Sequence, residues 1–382
     1  MANSEAAMLS GVHLTLLVGP GLPVPAPRPI MDGLERVEVS SSADGPGGFQ
    51  LSFTVSNRSP LHTLLVIAGG QVPWLRVILI ATLNGLPTVL MDGLVTRQEI
   101  TDGNAPGQSR LTVTGEDLTV AMDKQDMSGL PYPAMPPPAR VAAIIGRYAL
   151  YGMLPLVVPS PFTEVPIPVE RIPLHEGTDL AYVRQLAAEV GHVFYIEPGP
   201  LPGANVAYWG PEIRLGPVQP ALNLGMDVHS NVESLSFSVN QSDAALPVIF
   251  IQNPLTKFPI PLPVPDISLA SPPLGLLPPL AKGLTLLKDT AKLSPAAALG
   301  RGLAMAAGTT ADAVTADGSL NVLRYGHVLK SRQLVGVRGA GLAFDGLYYV
   351  KRVDSTLKAG EFRQQFSLAR NGLISTLPLV PT

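Results

Sequence analysis

The chain has 382 residues, enough for two to four domains at roughly 100 to 200 residues each, so it can bury cores without disulfides or metals. Lys plus Arg number 26 against 29 Asp plus Glu, and a net charge of -3 gives no basic field for a phosphate backbone, which excludes nucleic-acid contact as a primary role. The absence of cysteine excludes disulfide frameworks, thiolate zinc sites, iron–sulfur clusters and cysteine nucleophiles.

Charged residues make up 14% of the chain where soluble domains average about 25%, while hydrophobic residues hold at 46%. A surface this sparse in charge points to burial against other subunits. The 37 glycines and 40 prolines punctuate the chain heavily, below the roughly 25–30% share that marks low-complexity disorder. At the N-terminus, Glu5 stands where a signal peptide needs a basic residue, and Gly19, Pro20 and Gly21 cut the apolar run short, so a cytoplasmic start is expected.

The first third reads as antiparallel β. In FQLSFTV (49–55) Phe49, Leu51, Phe53 and Val55 alternate with Gln50, Ser52 and Thr54, the period of a strand with one buried face. Val37 to Ser41 supplies a hairpin arm before it. Further strands are expected over Leu75–Leu83, Thr88–Met91 and Arg110–Leu118, with turns at Asn84-Gly85 and Asp92-Gly93. The Pro-dense stretch GLPYPAMPPP (129–138) reads as a linker. Beyond it, Val141, Ile144, Ile145 and Tyr148 stripe one face of a helix over Ala139–Leu150. A second helix has Thr178 as N-cap, Asp179 in its first turn, a stripe of Leu180, Val183, Leu186, Ala187 and Val190, and Gly191 as its stop. Strands over His192–Ile196 and Val206–Trp209 complete an α+β section.

A second β unit opens with VESLSFSV (232–239). It is interrupted by a stretch with nine prolines over Pro254–Pro279 and an Ala/Leu/Gly-rich, helical piece over Leu280–Ala307, and it resumes through Gln333–Arg338, Leu347–Val353 and Glu361–Leu368. The prolines exclude a membrane-spanning helix, because lipid cannot replace the backbone donors they lack. Phe258, Ile260, Leu262 and Val264 alternate with proline, which suits either an extended strip laid on a neighbouring subunit or a surface loop.

No catalytic constellation emerges. His13, His62, His175, His192, His229 and His327 are isolated from one another at metal-ligand spacing. His175-Glu176 opens like an HExxH box, but its fifth position is Asp179, so a loop into the helix N-cap is the better reading. Gly336 to Gly341 has dinucleotide-loop glycines without a following helix, as a tight turn would. No metal and no cofactor is expected, and no carboxylate pair is nominated for glycosidase chemistry.

The order FQLSFTV, LPTVLMDGLVTRQEI, SRLTVTGEDLTVAMD, followed by PLHEGTDLAYVRQLAAEVGHVFYIEPG and the closing GLYYVKRVDSTLKAGEFRQQFSLARNGL, resembles the hub proteins of contractile tails: the phage late control gene D family and the hub half of the VgrG spike proteins. The resemblance implies a mainly β fold with an α+β section, two tail-tube-like antiparallel β-barrels per chain, and a homotrimer forming a pseudo-sixfold ring. It implies a first barrel over 1–122, an α+β domain over 123–225, a second barrel over 226–250 with 321–371, an insertion over 251–320 and a tail over 372–382. The implied role is a non-enzymatic baseplate hub, adapting a sixfold inner tube or tube initiator to a threefold spike and contacting baseplate wedge proteins. VgrG proteins continue into a spike whereas this chain ends at Thr382, so the spike would be a separate chain. Assembly would be cytoplasmic, within a phage tail or tail-like particle. The uncharged tail places Leu373, Ile374, Leu377, Leu379 and Val380 toward that spike, and the insertion offers Phe258, Ile260, Leu262 and Val264 to another component.

Two other classes compete. A particle-borne or secreted β-rich glycan-binding module or hydrolase would use aromatics and paired carboxylates, and aromatics are only 5%, with Trp74 and Trp209 the two tryptophans. A self-assembling tube protein would share the low charge without needing two different β units.

Overall fold

A computed structural model describes residues 11–55, 74–101, 109–161, 166–167, 169, 172–225, 229–240, 245–252, 258–264, 272–278, 283–287, 295–310 and 312–377. The first third supplies β1 (Val12–Pro20), β2 (Val24–Pro25), β3 (Leu34–Ser42), β4 (Gly48–Val55), β5 (Leu75–Leu83), β6 (Leu86–Thr101) and β7 (Ser109–Asp117). The middle holds helix α1 (Pro137–Gly146), β8 (Met153–Val157), helix α2 (Asp179–Val190), β9 (Val193–Pro198) and β10 (Asn205–Gly210). Then come β11 (Val218–Asn223), β12 (Ser234–Val239), β13 (Ala245–Gln252), β14 (Pro259–Pro263), β15 (Gly275–Leu277), β16 (Gly283–Leu286) and helix α3 (Pro295–Thr310). The chain closes with β17 (Val314–Asn321), β18 (Leu334–Arg338), β19 (Gly346–Lys358), β20 (Glu361–Arg370) and β21 (Leu373–Ser375).

Thirteen of these strands form one sheet, in the order β12-β17-β20-β19-β3-β4-β7-β6-β5-β1-β2, with β18 on the first half of β19 and β11 parallel to β18. This corrects the expectation of two separate β-barrels. FQLSFTV lies in β4 and most of VESLSFSV in β12, and both belong to this continuous sheet. The reason lies at the joint. A strand has two hydrogen-bonding edges, and β3 gives one to β4 and the other to β19, over Arg36–Ser42 against Arg352–Lys358. The edge that would close the first unit on itself is therefore spent on the second. One core follows, in which Phe49, Phe53 and Leu79 share a cluster with Val350, Phe362 and Phe366. Each such side chain, fully buried, contributes about 1.5–3 kcal/mol.

The middle section packs α1 and α2 on one face of the sheet β8-β10-β9, around Val141, Ile145, Val183, Leu186 and Trp209. The cap signals act as expected: the Thr178 hydroxyl accepts from the Ala181 N–H, and Gly191 ends α2 at φ 70°. Helix α1 starts earlier than expected, because Pro137 at its first turn needs no donor. The 129–138 stretch is a packed strap rather than a linker, since Gly129 and Tyr132 donate to the carbonyls of His175 and Pro173.

A satellite sheet, β14-β13-β16, lies under α3 around Ile249, Val264, Leu287 and Ala298. The helix expected over 280–307 begins only at Pro295, and 283–286 is a strand. Asp92-Gly93 is not a turn either. It sits inside the 16-residue β6, where Asp92 is buried against Arg76, while Asn84-Gly85 does turn, at φ 50° and 82°.

Candidate assembly interface

The large sheet contains the same unit twice. In sheet order the first unit reads β3-β4-β7-β6 with β5 on the first half of β6, and the second reads β12-β17-β20-β19 with β18 on the first half of β19. Both long strands carry a bulge at the same place, between Val95 and Arg97 in β6 and between Val350 and Arg352 in β19. Aligning the bulges aligns the sequences VTRQEIT (95–101) and VKRVDST (350–356), each with Val, Arg, an acid and Thr at matching positions. An exposed ion pair repeats with them: Arg97–Glu99 and Arg352–Asp354, both 2.8 Å. This short repeat lies in the sequence beside the alternation shared by FQLSFTV and VESLSFSV, and it fixes the register of the duplication.

Eight strands of the two units present an unbroken polar face. Cross-strand rows run Ser236–Asp317–Ser367–Arg352–Ser42 and Arg363–Thr356–Glu38–Gln50–Thr114–Arg97. Several of its charges are locally matched: Arg36 with Glu38, Arg110 with Glu35, and Arg363 with Glu233 and Glu361. Hydroxyls and neighbouring charges of opposite sign leave a hydrated surface with little net field. The α+β section packs on the opposite, core side of the sheet. Ile196 and Glu197 of β9 share a cavity of about 70 Å³ with Val39, Val353 and Ser355 from the core face of the sheet, and α3 packs on α2.

The α+β section is fixed to the sheet by a buried charge. Arg76 forks onto both Asp92 carboxylate oxygens at 2.7 Å and also donates to the carbonyls of Gly21, Tyr151 and Gly203, while Asn205 donates to Asp92 at 2.8 Å. Arg332 lies over the Tyr195 ring at 4.1 Å. Glu197, half-buried nearby, has its carboxyl pushed above the usual range by desolvation.

His175 is fully buried, with Nδ1 3.1 Å from the Tyr132 hydroxyl and Nε2 3.4 Å from Asp179, whose carboxylate accepts hydrogen bonds from Arg147 and the Tyr148 hydroxyl. The cluster ties the strap and α1 to the start of α2. Burial and the Asp179 contact push the Tyr148 hydroxyl far up. Among the described residues no three His, Asp or Glu side chains are placed to hold a metal ion, and no helix is long and apolar enough to cross a membrane.

The residues singled out from the sequence divide. Phe258, Ile260 and Leu262 are exposed on or beside β14, but Val264 turns into the satellite core. Leu373 and Ile374 lie half-buried in β21, paired to β15 of the satellite, and Leu377 is exposed beyond them. Leu379 and Val380 lie outside the described residues.

No protein-family model matches the sequence, and no curated protein does. Solved structures do match. A tail protein from Neisseria meningitidis MC58 is similar over 95% of this chain and 98% of its own, with TM-score 0.64 at 13% identity. The 43 kDa tail protein of prophage MuSo2 from Shewanella oneidensis is similar over 94% and 99%, also at TM-score 0.64 and 13% identity. The chain has the fold of phage tail proteins. A Francisella PdpA–VgrG complex is similar over all of this chain and 57% of that one, with TM-score 0.57 at 9% identity.

Proposed function

We propose that this chain is a structural baseplate hub of a contractile, phage-tail-like injection particle. Three copies close a ring in which the twice-repeated four-strand unit gives six equivalent wall segments, matching a sixfold inner tube on one side and a threefold spike on the other. The observation that carries this is the eight-strand polar face, which the described residues leave exposed while the α+β section packs on the opposite side of the sheet. Such a face suits a channel wall: it hydrates well and offers a passing chain little net charge and no large apolar patch. The fold likeness to tail proteins over nearly the whole chain supports the reading.

A spike protein is the partner on one side of the ring, and the uncharged segment from Leu373 through Leu377 faces it. Truncation after Ser375 keeps β21 and is expected to weaken spike retention in the particle; unchanged retention would remove this assignment. Phe258, Ile260 and Leu262 are exposed for a baseplate component. The ring wall itself is tested with Thr114→Cys, since the chain has no cysteine of its own. In assembled particles a small maleimide is expected to label it and a polymer-borne maleimide too large for the channel is not; equal labelling by both would contradict a channel wall.

A further inference from the structure

The duplicated unit specifies how two copies of this chain join. Within one chain the units meet where β3, the first strand of unit one, lies along the second half of β19, the long strand of unit two: Arg352 faces Ser42, Asp354 faces Ser40 and Thr356 faces Glu38. By the repeat, β12 corresponds to β3 and β6 to β19. Among the described residues, β12 is bonded only to β17, and the side of β6 that carries β5 as far as Leu94 has no partner from Val95 to Thr101. These are the two halves of a second joint of the same kind.

The hydrogen-bond phase agrees. Asn240 donates to Ala313 at 2.8 Å, so Ser234, Ser236 and Ser238 spend their backbone groups on β17, and Leu235, Phe237 and Val239 turn theirs to the free edge. At the internal joint Ala43 donates to Lys351 at 2.7 Å, so Val37, Val39 and Ser41, the counterparts of those three residues, bond across it. The free edge of β12 also lacks charge and proline, which elsewhere guard edges. On β14, Val264 donates to Pro247 at 2.9 Å, and that phase turns Pro259, Pro261 and Pro263 to the free side, where they offer no donor. Burial agrees as well. Ile100 is 39% exposed whereas its counterpart Ser355 at the internal joint is 5% exposed, and Val239 is likewise 39% exposed at the other edge.

Resting on the ring reading, we infer that β12 of one copy pairs antiparallel with Val95–Thr101 of the next. The register is copied from the internal joint: Glu99 faces Ser238, Thr101 faces Ser236 and Arg97 faces Asn240. Ile100 and Val239 are covered by the junction, and the polar face continues across it. The joint is head-to-tail, so it closes a ring when the rotation per copy divides the circle.

Glu99 and Ser238 fall at a non-hydrogen-bonded position, where side chains on opposite strands come closest. The double variant E99C/S238C, oxidised without reductant, is expected to give covalent dimers and trimers and nothing larger, while E99C alone and S238C alone give none. The out-of-register pair E99C/S236C is expected to link at least tenfold more slowly. No linkage in E99C/S238C, or self-linkage in either single variant, overturns the junction. A trimeric native mass without linkage would overturn the junction and leave the hub reading standing, whereas a monomeric mass would remove both.

Discussion

His192 faces the edge of the fully buried Trp209 ring at 4.5 Å, and Trp209 donates its indole N–H to the Val183 carbonyl at 3.3 Å. Burial lowers the His192 imidazole to about 4 from its ordinary value near 6.5. The unfolded chain therefore takes up a proton below about pH 6.5, and the folded chain only below about pH 4. Stability tied to this side chain is full above pH 6.5 and is lost progressively as the pH falls toward 4. Glu197, whose carboxyl is raised, works in the opposite direction, so the test is the difference between two proteins. His192→Phe should flatten the fall in urea midpoint between pH 6.5 and 4.5; the same fall in both would contradict the assignment. Residue-scale features of this kind were only partly legible in the sequence. Asp92-Gly93 has turn composition, yet it is strand. Arg76, sixteen residues earlier, consumes the Asp92 carboxylate, and a Cβ on Gly93 would lie 2.2 Å from the Glu116 carbonyl oxygen. Neither partner is visible from the dipeptide.

At the scale of elements, the satellite occupies a hairpin loop. β12 and β17 are antiparallel neighbours, as β3 and β4 are in the first unit, where residues 43–47 make the connection. The hydrogen bond from Asn240 to Ala313 closes the corresponding hairpin at the root of the excursion. Replacing residues 242–311 by a four-residue Gly/Asn turn, with Asp312 kept for its pairs to Lys351 and Arg214, should leave a soluble chain with one cooperative unfolding transition. Because β15 leaves with the satellite, limited proteolysis should then cut within 372–377, and fewer complete particles should form. An insoluble product, or undiminished particle yield, would contradict this account of the satellite. The elements that carry their own signals, α2 with its caps and β4 with its alternation, could be read from the chain. β15 and β21 could not: each is three residues long, and they pair across nearly a hundred residues, held partly by the Asn371 carboxamide accepting from Leu274 and Gly275.

At the scale of the whole molecule, alternation shows that β units exist but not what their edges meet. The spending of the β3 edge on β19, which makes one sheet in place of two barrels, depends on a partner some three hundred residues away. The sparse charge of the chain, 14% against about 25% for soluble domains, is consistent with edges and faces completed by other copies. Among the described residues the β12 edge and the second half of β6 are the two unmatched halves of the repeated joint, and further copies of the chain fill them. The most direct test is native mass spectrometry of the purified full chain across micromolar concentrations. A trimer that persists on dilution is expected. A monomer at all concentrations, or an open-ended series of larger species, would contradict it.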